Sequence, residues 1–94
     1  MIVERVEFQL ASGQEEEFMR VMKEHGGILK NARGCRSMSF GRGIENPSKA
    51  LLLLEWDAVE SHVAFTKTKE FASFGGLVSA LFNAPPVTEH FRLG

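Results

Sequence analysis

The chain has 94 residues, 44% of them apolar and 24% charged, with eight Phe, no Tyr and a net charge of −1. That length holds a single hydrophobic core, so one domain over residues 1–94 is expected, and the composition excludes a disordered chain. Near-zero charge with scattered Lys and Arg leaves no electrostatic footprint for nucleic acid or an anionic membrane surface.

Met1-Ile2-Val3 runs directly into Glu4-Arg5 without the pattern of a secretory leader, and the longest apolar run, residues 50–54, is far too short to span a bilayer. A lone cysteine, Cys35, cannot make an internal disulfide, so the expected location is a reducing cytoplasm. Residues 2–10 predict the first strand, with Ile2, Val6, Phe8 and Leu10 on one parity and Arg5, Glu7 and Gln9 on the other. Ser12 then predicts a helix N-cap, with Glu15 completing a capping box.

The helix is expected over residues 13–32, with Phe18, Val21, Met22, His25 and Leu29 on one face and Gly34 as its stop. Gly26-Gly27 inside it costs about 1 kcal/mol per Gly relative to Ala. The pair implies either a frayed or kinked last turn, or missing side chains that let the helix approach the sheet or leave room for a ligand. Residues 35–43 predict a second strand with Met38 and Phe40 on one face. Residues 44–48, with Asn46-Pro47, predict a turn, and residues 49–56 a third strand.

Asp57 with Glu60 predicts another capping box, opening a helical region in two pieces, 59–66 and 69–82, with Thr68 a cap between them. Asn83-Ala84-Pro85-Pro86 ends it, and residues 87–93 predict a closing strand. The pattern is strand–helix–strand–strand–helix–strand, an α+β fold. Leu51-Leu52-Leu53-Leu54 is apolar on both parities, although a sheet with one wet face would alternate. Two helical regions cover one face only, so a second copy packed sheet on sheet is expected, a homodimer.

Among the histidines, His62 sits one turn into a helix beside Val59, Val63 and Phe65, where it can serve as base or donor. The plain alternative is a helix-start His bonded to a carbonyl. His25 reads as a core or rim residue, and His90, on the last strand, faces a pocket or an interface. Histidines this dispersed, without a carboxylate at ligand spacing, give no metal motif, and no metal is expected. Gly41-Arg42-Gly43 is not a phosphate loop, because no helix start follows it.

The stretch Glu55-Trp56-Asp57-Ala58-Val59-Glu60-Ser61-His62-Val63-Ala64-Phe65, a strand ending in Glu-Trp followed by an acidic turn and a helical His, resembles the antibiotic biosynthesis monooxygenase-like domains. The closing Pro86-Val87-Thr88-Glu89-His90-Phe91 is similar to their last strand. The resemblance implies a ferredoxin-like βαββαβ protomer with a four-stranded antiparallel sheet, paired into a dimeric α/β barrel. It also implies cofactor-independent oxygenation of a small aromatic or quinol-type substrate, whose own anion reduces dioxygen. On that reading His62 and Trp56 are the catalytic candidates, and Phe8, Met38, Phe65, Phe74 and His90 line a small apolar substrate pocket between sheet and helices.

The chain departs from the family at two hydrogen-bonding positions. It has no Tyr, and Leu52 stands where polyketide-quinone oxygenases carry Asn. Thr66-Lys67 occupies the region where haem-degrading relatives carry an iron-ligating His, which argues against haem. The competing reading is a non-catalytic ligand-binding dimer. RNA binding is disfavoured by the Leu-rich third strand and the absence of basic charge.

Overall fold

The computed structural model describes residues 1–94. Strand β1 (Ile2–Gln9) is followed by helices α1 (Glu15–His25) and α2 (Gly27–Lys30), then strands β2 (Cys35–Arg42) and β3 (Lys49–Trp56). Helices α3 (Val59–Phe65) and α4 (Lys69–Val78) come next, with a 3₁₀ turn at Ser79–Leu81 and a last strand β4 (Val87–Arg92). The strands form one antiparallel sheet in the order β2-β3-β1-β4, the expected α+β, ferredoxin-like arrangement.

Period-two burial decides which side chains meet the helices. Ile2, Glu4, Val6 and Phe8 of β1 and Ala50, Leu52, Leu54 and Trp56 of β3 are buried in alternation. They join Phe18, Val21, Met22, Leu29, Phe65, Phe74, Val78 and Leu81 in one continuous core. The other parity is uncovered within the protomer: Leu53 is 36% exposed, Phe91 43% and Val87 58%. Polar residues on that face pair with one another, Arg5 with Glu7 along β1 at 2.9 Å and Lys49 of β3 with Glu7 across strands at 2.9 Å.

Helix starts depart from the capping boxes expected of them. Gly13, with φ of +83°, turns the chain between Ser12 and the helix, and Gln14 becomes the N-cap without a side-chain bond. Glu15 instead accepts a hydrogen bond from the Ser48 hydroxyl at 3.1 Å, tying the helix start to the turn before β3. Asp57 likewise does not cap α3. Its carboxylate accepts from the Ser61 hydroxyl, and Ala58 holds the cap position. Thr68 does cap α4, accepting from the Phe71 amide at 3.2 Å.

The long first helix breaks at Gly26, where the chain both kinks and comes close to the sheet, with Met38 beside the glycine. A side chain at Gly26 would collide with the Met22 carbonyl and lie 2.8 Å from Met38 Cε. The break therefore lets the helix settle on the sheet over Met38. Gly34, with φ of +88°, turns the chain into β2. No helix is long and apolar enough to cross a membrane.

Candidate functional site

The site starts from the parity of β1. Glu4 occupies an inward position of the strand flanked on both sides, opposite Leu54 of β3 and His90 of β4. It is 5% exposed and is the charged residue within the buried set. A buried carboxylate is costly unless its oxygens find donors. Trp56, two residues beyond Leu54 on the same face, supplies one: its indole N–H donates to Glu4 Oε1 at 2.9 Å.

The turn after β3 sends α3 back over this end of the sheet. One turn into α3, the His62 ring stacks on Trp56, with centroids 5.3 Å apart and planes at 28°. Its Nε2 lies 3.3 Å from Glu4 Oε2. Its Nδ1 lies 2.8 Å from His90 Nε2. Trp56, Glu4, His62 and His90 thus form a row from the sheet interior to an exposed strand.

Burial pushes the His62 imidazole below its ordinary 6.5, and the neighbouring His90 adds to this while the Glu4 charge opposes it. His62 is therefore neutral at pH 7, with a single N–H to place. Burial raises the Cys35 thiol, which leaves it a protonated, unreactive side chain.

Beside the row opens a cavity of about 690 Å³, walled by Phe8, Leu52, Phe65, Phe74, Val78 and Phe82. Glu4 and His62 form its polar end, with Asn83, Pro85 and Thr88 also at its boundary. No Lys or Arg lines it.

Five of the residues expected at a pocket, His62, Trp56, Phe8, Phe65 and Phe74, come together around this cavity. Met38 does not line it; its side chain is the contact beneath the Gly26 break. His90 is not a wall either, but it reaches the site through His62. His25 stays at the rim, 3.9 Å from Glu24.

Glu4 was the residue that pattern reading passed over. Its signal was a carboxylate at an inward position of a strand otherwise apolar on that parity. Glu4, His62 and His90 can each offer a donor atom within 4.8 Å of the others, a combination of types found in metal sites. His62 turns opposite ring nitrogens to its two neighbours, however. In this arrangement the three side chains form a hydrogen-bonded row, and Glu4 supplies the nearby carboxylate that the histidine spacing in the sequence did not reveal.

Comparison with known proteins extends the match across the fold. The sequence profile described as antibiotic biosynthesis monooxygenase covers residues 1–75. The uncharacterized Bacillus subtilis protein YczJ is 27% identical over 93 residues, 98% of each chain. A crystal structure of a Bordetella bronchiseptica protein named after the same family superposes with a TM-score of 0.94 at 28% identity, covering 99% of this chain and 96% of that one. A Nitrosomonas europaea protein similarly named shares the fold at a TM-score of 0.85 and 13% identity, covering 98% of this chain and 97% of that one. With that profile spanning most of its length, and β1, β3 and α3 placing Trp56 and His62 at the cavity, the chain belongs to the antibiotic biosynthesis monooxygenase family.

Proposed function

We propose that this chain is a cofactor-independent monooxygenase acting on a small aromatic or quinol-type substrate, with His62 as base or donor and Trp56 as the group that positions it. One observation carries this reading: an apolar cavity of about 690 Å³ whose polar end is the Glu4–His62 pair. A quinol hydroxyl at that end loses its proton to the site, and the electron-rich anion that results reduces dioxygen. The Phe walls shield the reacting centre from water. Trp56 has its N–H committed to Glu4, so it acts through its ring and not as a donor to substrate.

The same reading takes residues 1–94 as one domain that works in the cytoplasm as a homodimer through its open sheet face. That face carries Leu51, Leu53, Val87 and Phe91, and a groove of about 240 Å³ runs beside Leu51 and Leu53. Packing the two open faces together buries this apolar surface. The cavity lies on the opposite side of the sheet, so dimer and site are separable.

Oxygen uptake by chelator-treated protein, with a panel of hydroquinones, tests the activity. Turnover that falls about 100-fold or more in His62→Ala supports it. No uptake by the wild-type protein on any member of the panel sinks it. A second reading, a non-catalytic ligand-binding dimer, draws on the fact that both His62 ring nitrogens already have protein partners. Tight binding of aromatic ligands without turnover favours that alternative.

A further inference from the structure

Nothing in the packing calls for a carboxylate at position 4. Its neighbours on the same parity are Ile2, Val6 and Phe8, and the buried Trp56 N–H asks only for an acceptor, which a neutral amide would supply without the cost of burying charge. What Glu4 contributes is direction. A carboxylate only accepts hydrogen bonds. Oε1 takes the Trp56 N–H at 2.9 Å, and Oε2 faces His62 Nε2 at 3.3 Å. The single hydrogen of a neutral His62 then belongs on Nε2, and Nδ1 is left as the acceptor. His90 Nε2 lies 2.8 Å from that atom, so with this His62 tautomer it is the His90 Nε2–H that donates across the pair.

We propose that Glu4 is a positioning residue that holds His62 in its Nε2–H tautomer and so makes Nδ1 the proton-accepting atom of the site. This rests on the reading of His62 as the base. His90 stands on an exposed strand and does not wall the cavity, so a substrate hydroxyl at the His62 end of the cavity meets Nδ1 when the His90 side chain turns aside from it. The substrate O–H bond breaks, an N–H bond forms at Nδ1, and the electron pair stays on the substrate oxygen. The imidazolium produced lies against the Glu4 carboxylate, which stabilises it.

The Trp56 bond makes the proposal sharply testable. In Glu4→Gln the Trp56 N–H still needs an acceptor, so the new carbonyl oxygen turns to it and the NH₂ faces His62. His62 Nε2 can meet an NH₂ only as an acceptor, which moves its hydrogen to Nδ1. The substitution keeps the shape of the side chain and reverses the tautomer. A carboxylate with a purely structural role predicts no such reversal.

The experiment is two-bond ¹H–¹⁵N NMR on protein labelled at histidine, with the His62 resonances assigned by their loss in His62→Ala. Wild-type protein above pH 7 is expected to show the Nε2–H tautomer and Glu4→Gln the Nδ1–H tautomer. Quinol-dependent oxygen uptake is expected to fall about 100-fold or more with KM unchanged. An Nδ1–H tautomer in the wild-type protein overturns the proposal without any variant having to fold. A folded Glu4→Gln protein that retains Nε2–H overturns it too. Reversal of the tautomer in a protein that consumes no oxygen with any quinol supports the role of Glu4 and overturns the oxygenase reading alone.

Discussion

The two faces of the sheet are made by alternate residues of the same strands, and they treat charge in opposite ways. On the open face Arg5, Glu7, Lys49 and Glu89 pair with one another across β1, β3 and β4, half in water. Such pairs contribute little to stability, and any one of them can be exchanged at small cost. On the covered face a single carboxylate, Glu4, lies among buried apolar side chains, and each of its oxygens has a nitrogen partner. A buried charge persists against its desolvation cost only where something other than packing is gained. The open face spends its charges on the surface and leaves its leucines uncovered; the covered face does the reverse, and there the candidate chemistry gathers.

The largest expected effect tests that contrast through packing. Trp56 is 1% exposed, stacks on His62 and bonds Glu4, so Trp56→Ala should cost about 3–5 kcal/mol from the cavity alone. The freed Glu4 oxygen adds to that loss. In dilute protein Leu53→Ala should cost roughly 0.5 kcal/mol, because Leu53 has solvent beside it in the protomer. Urea unfolding of both variants measures the difference. Equal costs at low concentration would break the contrast between the faces.

Next in size is the proposed dimer. Leu53→Glu places a charge where two open faces would meet, and in a two-fold interface the substitution occurs twice. The dimer should weaken by about 2–4 kcal/mol, roughly 30- to 1,000-fold in Kd, read by sedimentation equilibrium. His62 stays in its cavity throughout, so the Nε2–H tautomer should not change. A wild-type chain that sediments as a monomer at every concentration would show that the open face needs another cover.

The alternation of β1 and β3, the breaks at Gly26 and Gly34 and the Thr68 cap were legible because each is a local rule written in neighbouring residues. The capping boxes at Ser12 and Asp57 misled for the same reason. Both residue patterns are correct, but the left-handed Gly13 turn and the Asp57–Ser61 bond settle which residue caps. The site was half legible. Trp56 and His62 lie close in sequence, whereas Glu4 and His90 join them only through strand order, with β1 lying between β3 and β4. Met38 was misplaced because parity assigns a face of the sheet but not a position along it, and its part of that face lies under Gly26.

A smaller effect separates the two neighbours of His62. His90 lowers the His62 pKa and Glu4 raises it, so His90→Ala should move the His62 titration upward and Glu4→Gln should move it downward. His90 is exposed, and its loss should change stability by roughly 0.5 kcal/mol. NMR titration of the ring resonances reads both shifts. Movement in the same direction for both variants would mean that Glu4 does not act on His62 through its charge.

The smallest effect is the dependence of stability on pH, and it distinguishes the faces by window. His62 titrates below its ordinary 6.5 in the folded chain because burial disfavours its charged form. Between those two midpoints the unfolded state binds more protons, so stability is full above 6.5 and declines as pH falls toward the folded midpoint. On the open face, Lys49 and Arg5 hold Glu7 below its ordinary 4.5, and its contribution is lost only as pH falls beneath that value. Salt screens the exposed Glu7 pairs but leaves the desolvation of His62 in place. Thermal unfolding followed from pH 8 to pH 4 at low and high salt should therefore show a decline below about pH 6.5 that is insensitive to salt and absent in His62→Gln. A decline in that window that disappears with salt would assign it to surface charge and remove the distinction between the covered and open faces.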